Sequence, residues 1–463
     1  AANLDYAEAA YLASVIRAPS YYAEKEGRAA LQDRWQYTVD GMVQMGEITQ
    51  AQADALEFPT PIPWTGAYNY FKGTNGYLLE AARDAMLDIG YTEDEINLNG
   101  YKVVTTINKQ AQDSATAAVE SYGPQYNTEG LRIGLASVRP GTGEVVAMYG
   151  GKNYLKNQLN DATQATALAG STFKPFAWSW ATMLGKFRPE SVLSLPTAGG
   201  LIVRDGKSSR LIRDVKYYGL STWKQVLERS QNAGMATAAM RMTKAQMQEA
   251  IRSFGFGTKT HCGLAGETAG IVTPPSAWTM VYTQCSVAIG QEIGVTPVQM
   301  ARAFTTFCRD GSLVELTLQR LAPSQNPVTR RVLPEPVALA TRDAMRGVLT
   351  EGTGKKAEAI ARYEMFGKSG TAQLPKKTAT GKNIGYYEDR YVSSFIAGAP
   401  FKQPRIVVLV VMEDPDKYRL GANRYGGGAI AGPAAAEITN AVLEYMGIPP
   451  DKVIDASKVA VAH

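Results

Sequence analysis

The spacing of hydrophobic residues changes along the chain and divides it into three regions of different predicted structure. At the start, apolar residues recur every three or four positions, which is typical of amphipathic helices. This pattern predicts helices over Leu4–Ala18, Arg28–Met45 and Thr49–Leu56. Three prolines within the stretch 58–64 exclude a helix there and indicate a boundary. We therefore expect an all-helical region over residues 1–57.

The second region, residues 58–127, has a mixed pattern. Helical spacing returns over Tyr77–Ile89 and Lys109–Ser121. A short run of β-branched residues between them predicts a strand over Tyr101–Ile107. We interpret this region as a small linker domain.

The third region, residues 128–449, begins with alternating apolar and polar residues. Leu131–Val138 and Glu144–Tyr149 flank the turn sequence Pro-Gly-Thr-Gly, which predicts a β-hairpin. The middle, from about 160 to 360, is largely helical with glycine and proline breaks. After it the pattern predicts three strands, over Lys368–Leu374, Tyr391–Ala399 and Arg405–Glu413. A closing helix is predicted over Pro433–Met446, with its proline in the first turn. Strands at both ends with helices between them indicate an α+β fold with an antiparallel sheet, followed by a tail at 450–463.

Charge and hydropathy disfavour some classes of function. The 463 residues include 48 basic and 43 acidic ones, a net charge of +5, with no basic block, so no nucleic-acid partner is expected. The longest apolar run, Ile406–Met412, is far shorter than the roughly 20 residues that span a bilayer and is typical of a buried strand. The chain starts inside a predicted helix without an initiator methionine, and we expect it to be a fragment of a longer protein.

Histidine and cysteine narrow the possible chemistry further. His463 is the last residue, so a Ser-His-Asp triad or a histidine-ligated metal would depend on His261 alone. A nucleophile would need lysine or a carboxylate as its base, and we expect neither a metal nor a cofactor. The cysteines match no zinc spacing. Burial is the favoured interpretation for Cys308, and a Cys262–Cys285 disulfide is a less favoured alternative.

Ser171 and Lys174 form an S-x-x-K pattern, and two side chains three positions apart on a helix share a face. Lysine could therefore accept the proton of the serine, which is a poor nucleophile until a base activates it. Burial among the apolar residues after Ser171 would lower the pKa of Lys174. The pattern recurs at Ser221–Lys224, where Thr222 and Gln225 are typical of a capping box, so we interpret this second copy as a helix start.

Two further motifs follow in order. Ser230-Gln-Asn232 ends a helical run and could direct a hydroxyl and an amide into a cleft, whereas a second S-x-N at 324–326 lies between prolines and predicts a surface turn. Lys368-Ser-Gly-Thr371 joins a lysine to two hydroxyls in a predicted strand, a combination suited to an anion, and its glycine would permit close approach of an extended substrate backbone. Each motif alone is weak evidence. The hypothesis that the three form one catalytic site depends on their order along the chain.

This ordered set resembles the S-x-x-K, S-x-N and K-[ST]-G signature of serine penicillin-binding proteins and β-lactamases. Ala288–Met300 is similar to the helix-entry segment between their second and third motifs, and Gly352–Gly354 to the glycine turn before the third. The resemblance is strongest over about 130 to 447. It implies a five-stranded antiparallel sheet flanked by helices, with a helical subdomain.

The N-terminal part resembles the end of a peptidoglycan glycosyltransferase domain. The resemblance rests on Tyr6–Ala13, Arg17–Tyr21 and Arg34–Thr49, while Lys102–Gln112 is similar to the inter-domain linker of the same proteins. These are features of class A, bifunctional penicillin-binding proteins. The segment 425–433, towards the C-terminus, looks closer to the class B subgroup.

The class A resemblance implies that residues 1–57 are only the C-terminal remnant of the glycosyltransferase domain. The catalytic glutamates of that domain lie in earlier motifs, so this chain should not polymerise lipid II. The transpeptidase domain would then occupy 128–449.

The resemblance also implies the catalytic roles. Ser171 would attack the penultimate D-Ala carbonyl of a stem peptide and form an acyl-enzyme, with Lys174 as its base. Ser230, helped by Lys368, would relay a proton to the leaving D-Ala. Asn232 would hold the peptide amide.

The substrate-binding residues follow from the third motif. Lys368, Ser369 and Thr371 would hold the terminal carboxylate, with Gly370 between the two hydroxyl residues. The backbone N–H groups of Ser171 and Thr371 would form the oxyanion hole.

The implied function is a D,D-transpeptidase that cross-links stem peptides and is a target of β-lactams. It would act at the extracytoplasmic face of the membrane, in a membrane-anchored parent that works with the cell-wall synthesis machinery. Two alternatives stay open: a D,D-carboxypeptidase or β-lactamase that transfers the acyl group to water, and a non-catalytic β-lactam sensor. The glycosyltransferase-like region argues against the hydrolase.

Overall fold

A computed structural model of the chain describes residues 4–23, 26–61, 70–122, 131–264, 266–377, 383–415 and 425–452. The chain divides into two units, Ala1–Asn69 and Tyr70–His463. In the described part of both units, every helix is too short or too polar to cross a membrane.

The described part of the first unit is helical, as predicted. It contains α1 to α4, over Tyr6–Val15, Pro19–Ala23, Gly27–Gln44 and Gln50–Asp54. Asp5 begins α1 with a capping box, in which its carboxylate accepts the Glu8 N–H at 2.8 Å. Trp35 on α3 is buried and donates its indole N–H to the Ala7 carbonyl of α1 at 3.0 Å, which joins the two longest helices of this unit.

The second unit is built around a five-stranded antiparallel sheet with strand order β12-β13-β14-β1-β2. The strands of this unit, β1 to β14, span Arg132–Val138, Val145–Tyr149, Ala167–Leu168, Val192–Ser194, Leu201–Asp205, Ser208–Ile212, Leu220–Thr222, Ile271–Val272, Ile293–Val295, Ser312–Val314, Thr329–Arg331, Phe366–Lys377, Asn383–Ala399 and Ile406–Glu413. The predicted hairpin is β1–β2, and the three predicted late strands are β12, β13 and β14. The α+β prediction is confirmed.

Helices cover both faces of this sheet. The described helices of this unit are α5 to α16, over Asn75–Asp88, Glu93–Leu98, Lys109–Tyr122, Lys174–Met183, Trp223–Glu228, Asn232–Arg241, Lys244–Ser253, Cys285–Ala288, Pro297–Cys308, Glu335–Thr350, Lys355–Ile360 and Gly427–Tyr445. Those that pack on the sheet are α7, α13, α14 and α16. Alternate residues of β14 join different cores: Val408 and Val410 lie in a core with α16, and Val407 and Leu409 in a core with α13. Because both faces are covered, β14 reads as one continuous apolar run.

The predicted strand over Tyr101–Ile107 is wrong, because this segment adopts no regular secondary structure. Val104 is 71% exposed, so the apolar side chains do not form a buried face. The Thr106 N–H binds the Leu318 carbonyl and its hydroxyl binds the Val145 carbonyl, so the segment is fixed by isolated contacts in place of a strand ladder.

The predicted start of the closing helix is also wrong. α16 begins at Gly427 and Pro433 lies inside it. Two glycines at the true start hide it from sequence patterns, because glycine is a poor helix former. Packing requires them: a Cβ on Gly427 would lie 2.1 Å from the Ser394 carbonyl oxygen, and one on Gly428 would lie 1.9 Å from that of Thr353.

All three cysteines are buried and free. The Cys262–Cys285 disulfide, the less favoured alternative, is therefore not formed. Cys308 ends α13 within its buried face, which confirms its interpretation as a small hydrophobic residue.

Candidate active site

Ser171 lies in a 3₁₀ turn, Gly170–Phe173, that leads directly into α8. Gly170 adopts φ +54°, and its N–H donates to the Gly290 carbonyl at 2.8 Å. A Cβ on Gly290 would lie 1.7 Å from the Gly170 carbonyl oxygen, so only glycine fits there. This close backbone contact fixes the turn and leaves Ser171 half-buried on the wall of a cleft.

Lys174, the first residue of α8, is completely buried. Its Nζ donates to the Ser230 carbonyl at 2.6 Å, to the Ser230 hydroxyl at 3.2 Å and to Asn232 Oδ1 at 2.6 Å. In the described part of the chain, no hydrogen bond joins Lys174 to the Ser171 hydroxyl. Catalytic hydrogen bonds are commonly long before a substrate binds, so Lys174 is still a candidate base for Ser171.

Burial lowers the pKa of Lys174 to about 7, against a weaker opposing effect of the Asp214 carboxylate. The cause is desolvation, which penalises the charged ammonium. The neighbours of Lys174 in the chain belong to the core: Phe173 and Phe176 contact the rings of Phe256 and Phe254. A fraction of Lys174 is therefore neutral at physiological pH and able to accept a proton.

Lys368 on β12 is also completely buried and meets the same serine. Its Nζ donates to the Ser230 hydroxyl at 2.9 Å. Desolvation, and secondly the charge of Lys174, hold the pKa of Lys368 well below its ordinary value. Ser230 itself has φ +57°, a strained conformation for a residue with a side chain, in the turn between α9 and α10. The turn thus places one hydroxyl between two buried lysines.

The two remaining hydroxyls of the third motif face the cleft. Ser369 and Thr371 both line it, two residues apart on β12, as the alternation of a strand requires. The Ser369 hydroxyl lies 2.5 Å from that of Thr353, which belongs to the predicted glycine turn. The Thr371 hydroxyl accepts the Gly427 N–H at 3.1 Å. Both side chains are therefore oriented by neighbours outside β12.

Gly370 does not line the cleft in the described structure. A Cβ there would lie 2.3 Å from the Ser394 hydroxyl oxygen and 3.0 Å from Thr172 Cγ2. The missing side chain therefore allows β12 to pack against β13 and against the turn that carries Ser171.

Asp214 is a site residue that the sequence patterns did not indicate. Its carboxylate accepts the backbone N–H groups of Asn232 and Ala233 at the start of α10. Its negative charge also acts on Lys174. Asp214 precedes Asn232 by 18 residues in a loop without a recognisable motif, so only the folded structure brings the two together.

The second copies of both motifs lie outside this cleft. Thr222 caps α9 and forms the predicted capping box with Gln225. Lys224 pairs with Asp343 at 2.6 Å. The other S-x-N, at 324–326, is an exposed turn segment. The predicted capping box and the predicted surface turn are confirmed.

The cleft has a volume of about 440 Å³ and is bounded by two walls. One wall contains Ser230 and Asn232, and the other contains Ser369 and Thr371 on β12, the terminal strand of the sheet. Ser171 lines the same cleft. Among the described residues, no group of three or more His, Cys, Asp or Glu side chains is placed to hold a metal ion.

Comparison with known proteins agrees with this geometry. The family described as the penicillin binding protein transpeptidase domain matches residues 135–440. The probable peptidoglycan D,D-transpeptidase PbpC of Pseudomonas aeruginosa is 31% identical over 334 residues, which cover 70% of this chain and 55% of that protein. The peptidoglycan D,D-transpeptidase FtsI of Escherichia coli K12 is 30% identical over 68% of this chain and 52% of its own length.

A solved structure extends the comparison. The transpeptidase domain of penicillin-binding protein 3 from Burkholderia pseudomallei has a TM-score of 0.66 at 26% identity, covering 76% of this chain and 99% of that domain. The chain spans about half the length of the PbpC and FtsI proteins. With the three motifs gathered in one cleft, these matches show that the chain belongs to the penicillin-binding protein transpeptidase family.

Proposed function

We propose that this chain is a serine D,D-transpeptidase that cross-links peptidoglycan stem peptides. One observation carries the proposal: two buried lysines, one with a pKa of about 7, converge on the Ser230 hydroxyl beside Ser171. Such an arrangement can remove a proton from one hydroxyl and deliver it through another. The names of the relatives PbpC and FtsI support the same reaction.

Acylation is the first step. Ser171 Oγ attacks the carbonyl carbon of the penultimate D-Ala, and its proton passes to neutral Lys174. The tetrahedral intermediate collapses when the carbon–nitrogen bond breaks. The leaving D-Ala amine takes a proton through the Ser230 hydroxyl, which lies within hydrogen-bonding distance of Nζ of both Lys174 and Lys368.

Substrate is held at both walls of the cleft. Lys368, Ser369 and Thr371 bind the terminal carboxylate, and Asn232 binds the peptide amide. The backbone N–H groups of Ser171 and Thr371 stabilise the oxyanion, a contribution that is commonly large in acyl transfer.

Deacylation completes the cross-link. The amine of a second stem peptide attacks the ester carbonyl, the bond to Ser171 Oγ breaks, and the serine recovers its proton. A β-lactam presents the same carbonyl and carboxylate, but its ring-opened product stays attached as an ester.

Acyl transfer from a D-Ala-D-Ala donor to an amine acceptor tests the proposal. The expected result is a cross-linked product that exceeds the hydrolysed donor, together with a penicillin ester that persists for hours. A predominantly hydrolysed donor, or a penicillin ester that turns over in seconds, would instead establish the hydrolase alternative. Penicillin acylation without any donor turnover would establish the sensor.

We also infer that the parent protein is a class A enzyme of the extracytoplasmic membrane face. The support is the glycosyltransferase-like sequence within residues 1–57, which the family match at 135–440 does not reach. The coding sequence upstream of this chain tests the inference. We expect it to encode a membrane anchor and the glycosyltransferase motifs with their catalytic glutamates; an upstream region without those motifs would contradict the class A assignment.

A further inference from the structure

Two cations line the catalytic cleft without a carboxylate partner. Lys216 and Arg229 belong to the same cleft as Ser171, and neither forms an ion pair with any acidic side chain that the structure describes. Arg229 is half-buried and immediately precedes Ser230. An unpaired guanidinium next to a reaction centre is a candidate for binding an anion.

Tyr218 holds both cations in place. The Arg229 guanidinium lies 4.6 Å from the centre of the Tyr218 ring, and Lys216 Nζ lies 5.2 Å from it. Arg229 also donates to the Ser221 hydroxyl at 3.4 Å. Stacking on an aromatic face restricts a long side chain before any ligand arrives, so less conformational entropy is lost on binding.

The nearest acidic side chains are engaged elsewhere. Asp214 accepts the backbone N–H groups at the start of α10. Glu228 is directed towards α14, where a Cβ on Gly347 would lie 2.3 Å from its Oε1, and it lies 3.9 Å from Lys224. Arg229 acts on the Glu228 carboxylate through its charge, but neither Arg229 nor Lys216 forms an ion pair with a described carboxylate, so their N–H groups remain available to a ligand in the cleft.

The position of this pair suggests which part of a substrate it meets. Ser369 and Thr371, proposed to hold the terminal D-Ala carboxylate, lie on the β12 wall. Lys216 and Arg229 belong to the chain segments that flank Asn232 and Ser230 on the other wall. For a peptide whose scissile carbonyl lies at Ser171 and whose last carboxylate lies on β12, this second wall is the part of the cleft left for the preceding residues.

We propose that Lys216 and Arg229 form an anion subsite that binds a free carboxylate of the donor stem peptide upstream of its D-Ala-D-Ala end. The inference rests on the proposed transpeptidase function and adds a substrate preference to it. The carboxylate can belong to a diamino dicarboxylic acid at the third position or to the glutamyl residue at the second. Both sources have the same chemistry, and they are separated by amidating one at a time.

The experiment compares donor pentapeptides that carry both carboxylates with donors amidated at the second or the third residue. For Arg229→Gln, kcat/KM for the preferred carboxylate donor should fall about tenfold, as expected for the loss of one charged hydrogen-bonding partner. This fall in kcat/KM should be at least fivefold greater than the fall that Arg229→Gln causes for the donor amidated at the recognised residue. Arg229→Lys should restore part of the preference, and Lys216→Gln should have a smaller effect of the same kind.

Arg241→Gln is the matched control. Arg241 stacks on Phe187 at 4.5 Å in the same manner but does not line the cleft, so its loss should not change the ratio between the two donors. An equal fall for carboxylate and amidated donors in Arg229→Gln would overturn the subsite and leave Arg229 with a structural role only.

Equilibrium binding separates this inference from the proposed function. In a Ser171→Ala background, which cannot be acylated, a fluorescent pentapeptide should bind more weakly when the recognised carboxylate is amidated, and Arg229→Gln should abolish that difference. Binding that is insensitive to amidation in the Ser171→Ala protein contradicts the subsite. Failure of the proposed function appears separately, in the protein with Ser171 intact, as a donor that is predominantly hydrolysed or is not turned over at all.

Discussion

The chain contains two S-x-x-K segments, and their different surroundings explain why we assign the chemistry to one of them. In the first, Ser171 lines the cleft and Lys174 is fully buried against Ser230 and Asn232. In the second, the Lys224 side chain is 39% exposed and pairs with Asp343. The spacing of the two residue types is identical in both.

Desolvation makes the difference between the two lysines. Lys174 is completely buried, and this desolvation lowers its pKa to about 7. Lys224 keeps water and a carboxylate beside its ammonium, and an exposed pair of this kind contributes little to either stability or chemistry. The same short motif therefore has different surroundings at its two positions, and only at the first do burial and hydrogen bonds make its lysine suited to accept a proton.

Replacing Lys174 or Lys224 by alanine is the strongest test of the difference between the two S-x-x-K segments. Lys174→Ala should slow penicillin acylation by about 10³-fold, since the serine loses its base. Lys224→Ala should leave the rate within about twofold, because it removes only an exposed ion pair. Stopped-flow acylation by a fluorescent penicillin measures both rates, and circular dichroism checks that both variants fold. Equal losses in the two variants would contradict the assignment.

The pH dependence of acylation provides the next largest effect. Below about pH 7 the rate constant should fall about tenfold per pH unit as Lys174 becomes protonated, and above this pH it should level off. Lys224→Ala should retain the same profile. A rate that is flat between about pH 5.5 and 8.5 would exclude Lys174 as the base whose proton affinity controls acylation.

Asp214→Asn sharpens the comparison because it alters the surroundings of Lys174 and leaves the S-x-x-K motif intact. The Asp214 charge opposes the fall in the pKa of Lys174, so its removal should move the midpoint of the pH profile to lower pH. Loss of the carboxylate at the start of α10 should also slow acylation about tenfold through displacement of Asn232. Asp343→Asn, at the partner of Lys224, is the control and should change neither quantity. An unshifted midpoint would show that Asp214 does not act on the base.

The smallest expected effect concerns the structural role of the second segment. Thr222→Ala removes the capping box of α9 and should lower the free energy of unfolding by about 1 kcal/mol. Urea unfolding measures this loss, and Thr222→Ser should restore most of it. Penicillin acylation by folded Thr222→Ala should be unchanged; a large loss would mean that the second segment contributes to catalysis.

Local sequence signals predicted much of the fold. Capping boxes such as Thr222–Gln225 involve contacts within one turn of helix, and the β1–β2 hairpin requires only alternation and a turn. The three motifs of the site were likewise readable in order. Tyr101–Ile107 shows the limit of such signals, because a strand needs a partner edge and the sequence does not say whether one is available.

The environment of the site could not be read from the sequence. Asp214 and Tyr218 belong to a segment without a motif, and Arg229 precedes the S-x-N motif without being part of it. The contacts of all three are made only in the folded chain. The start of α16 was missed for a related reason: Gly427 is selected by the close approach of Ser394, a residue of another element. Long-range packing determined both.

Intact-mass analysis after penicillin G treatment, with the adduct mapped by peptide sequencing, tests the central claim most directly. We predict one adduct per chain, on the peptide that contains Ser171, and none in Ser171→Ala. Ser221→Ala should be modified like the wild-type protein. An adduct on Ser221, or an undiminished adduct in Ser171→Ala, would contradict the account.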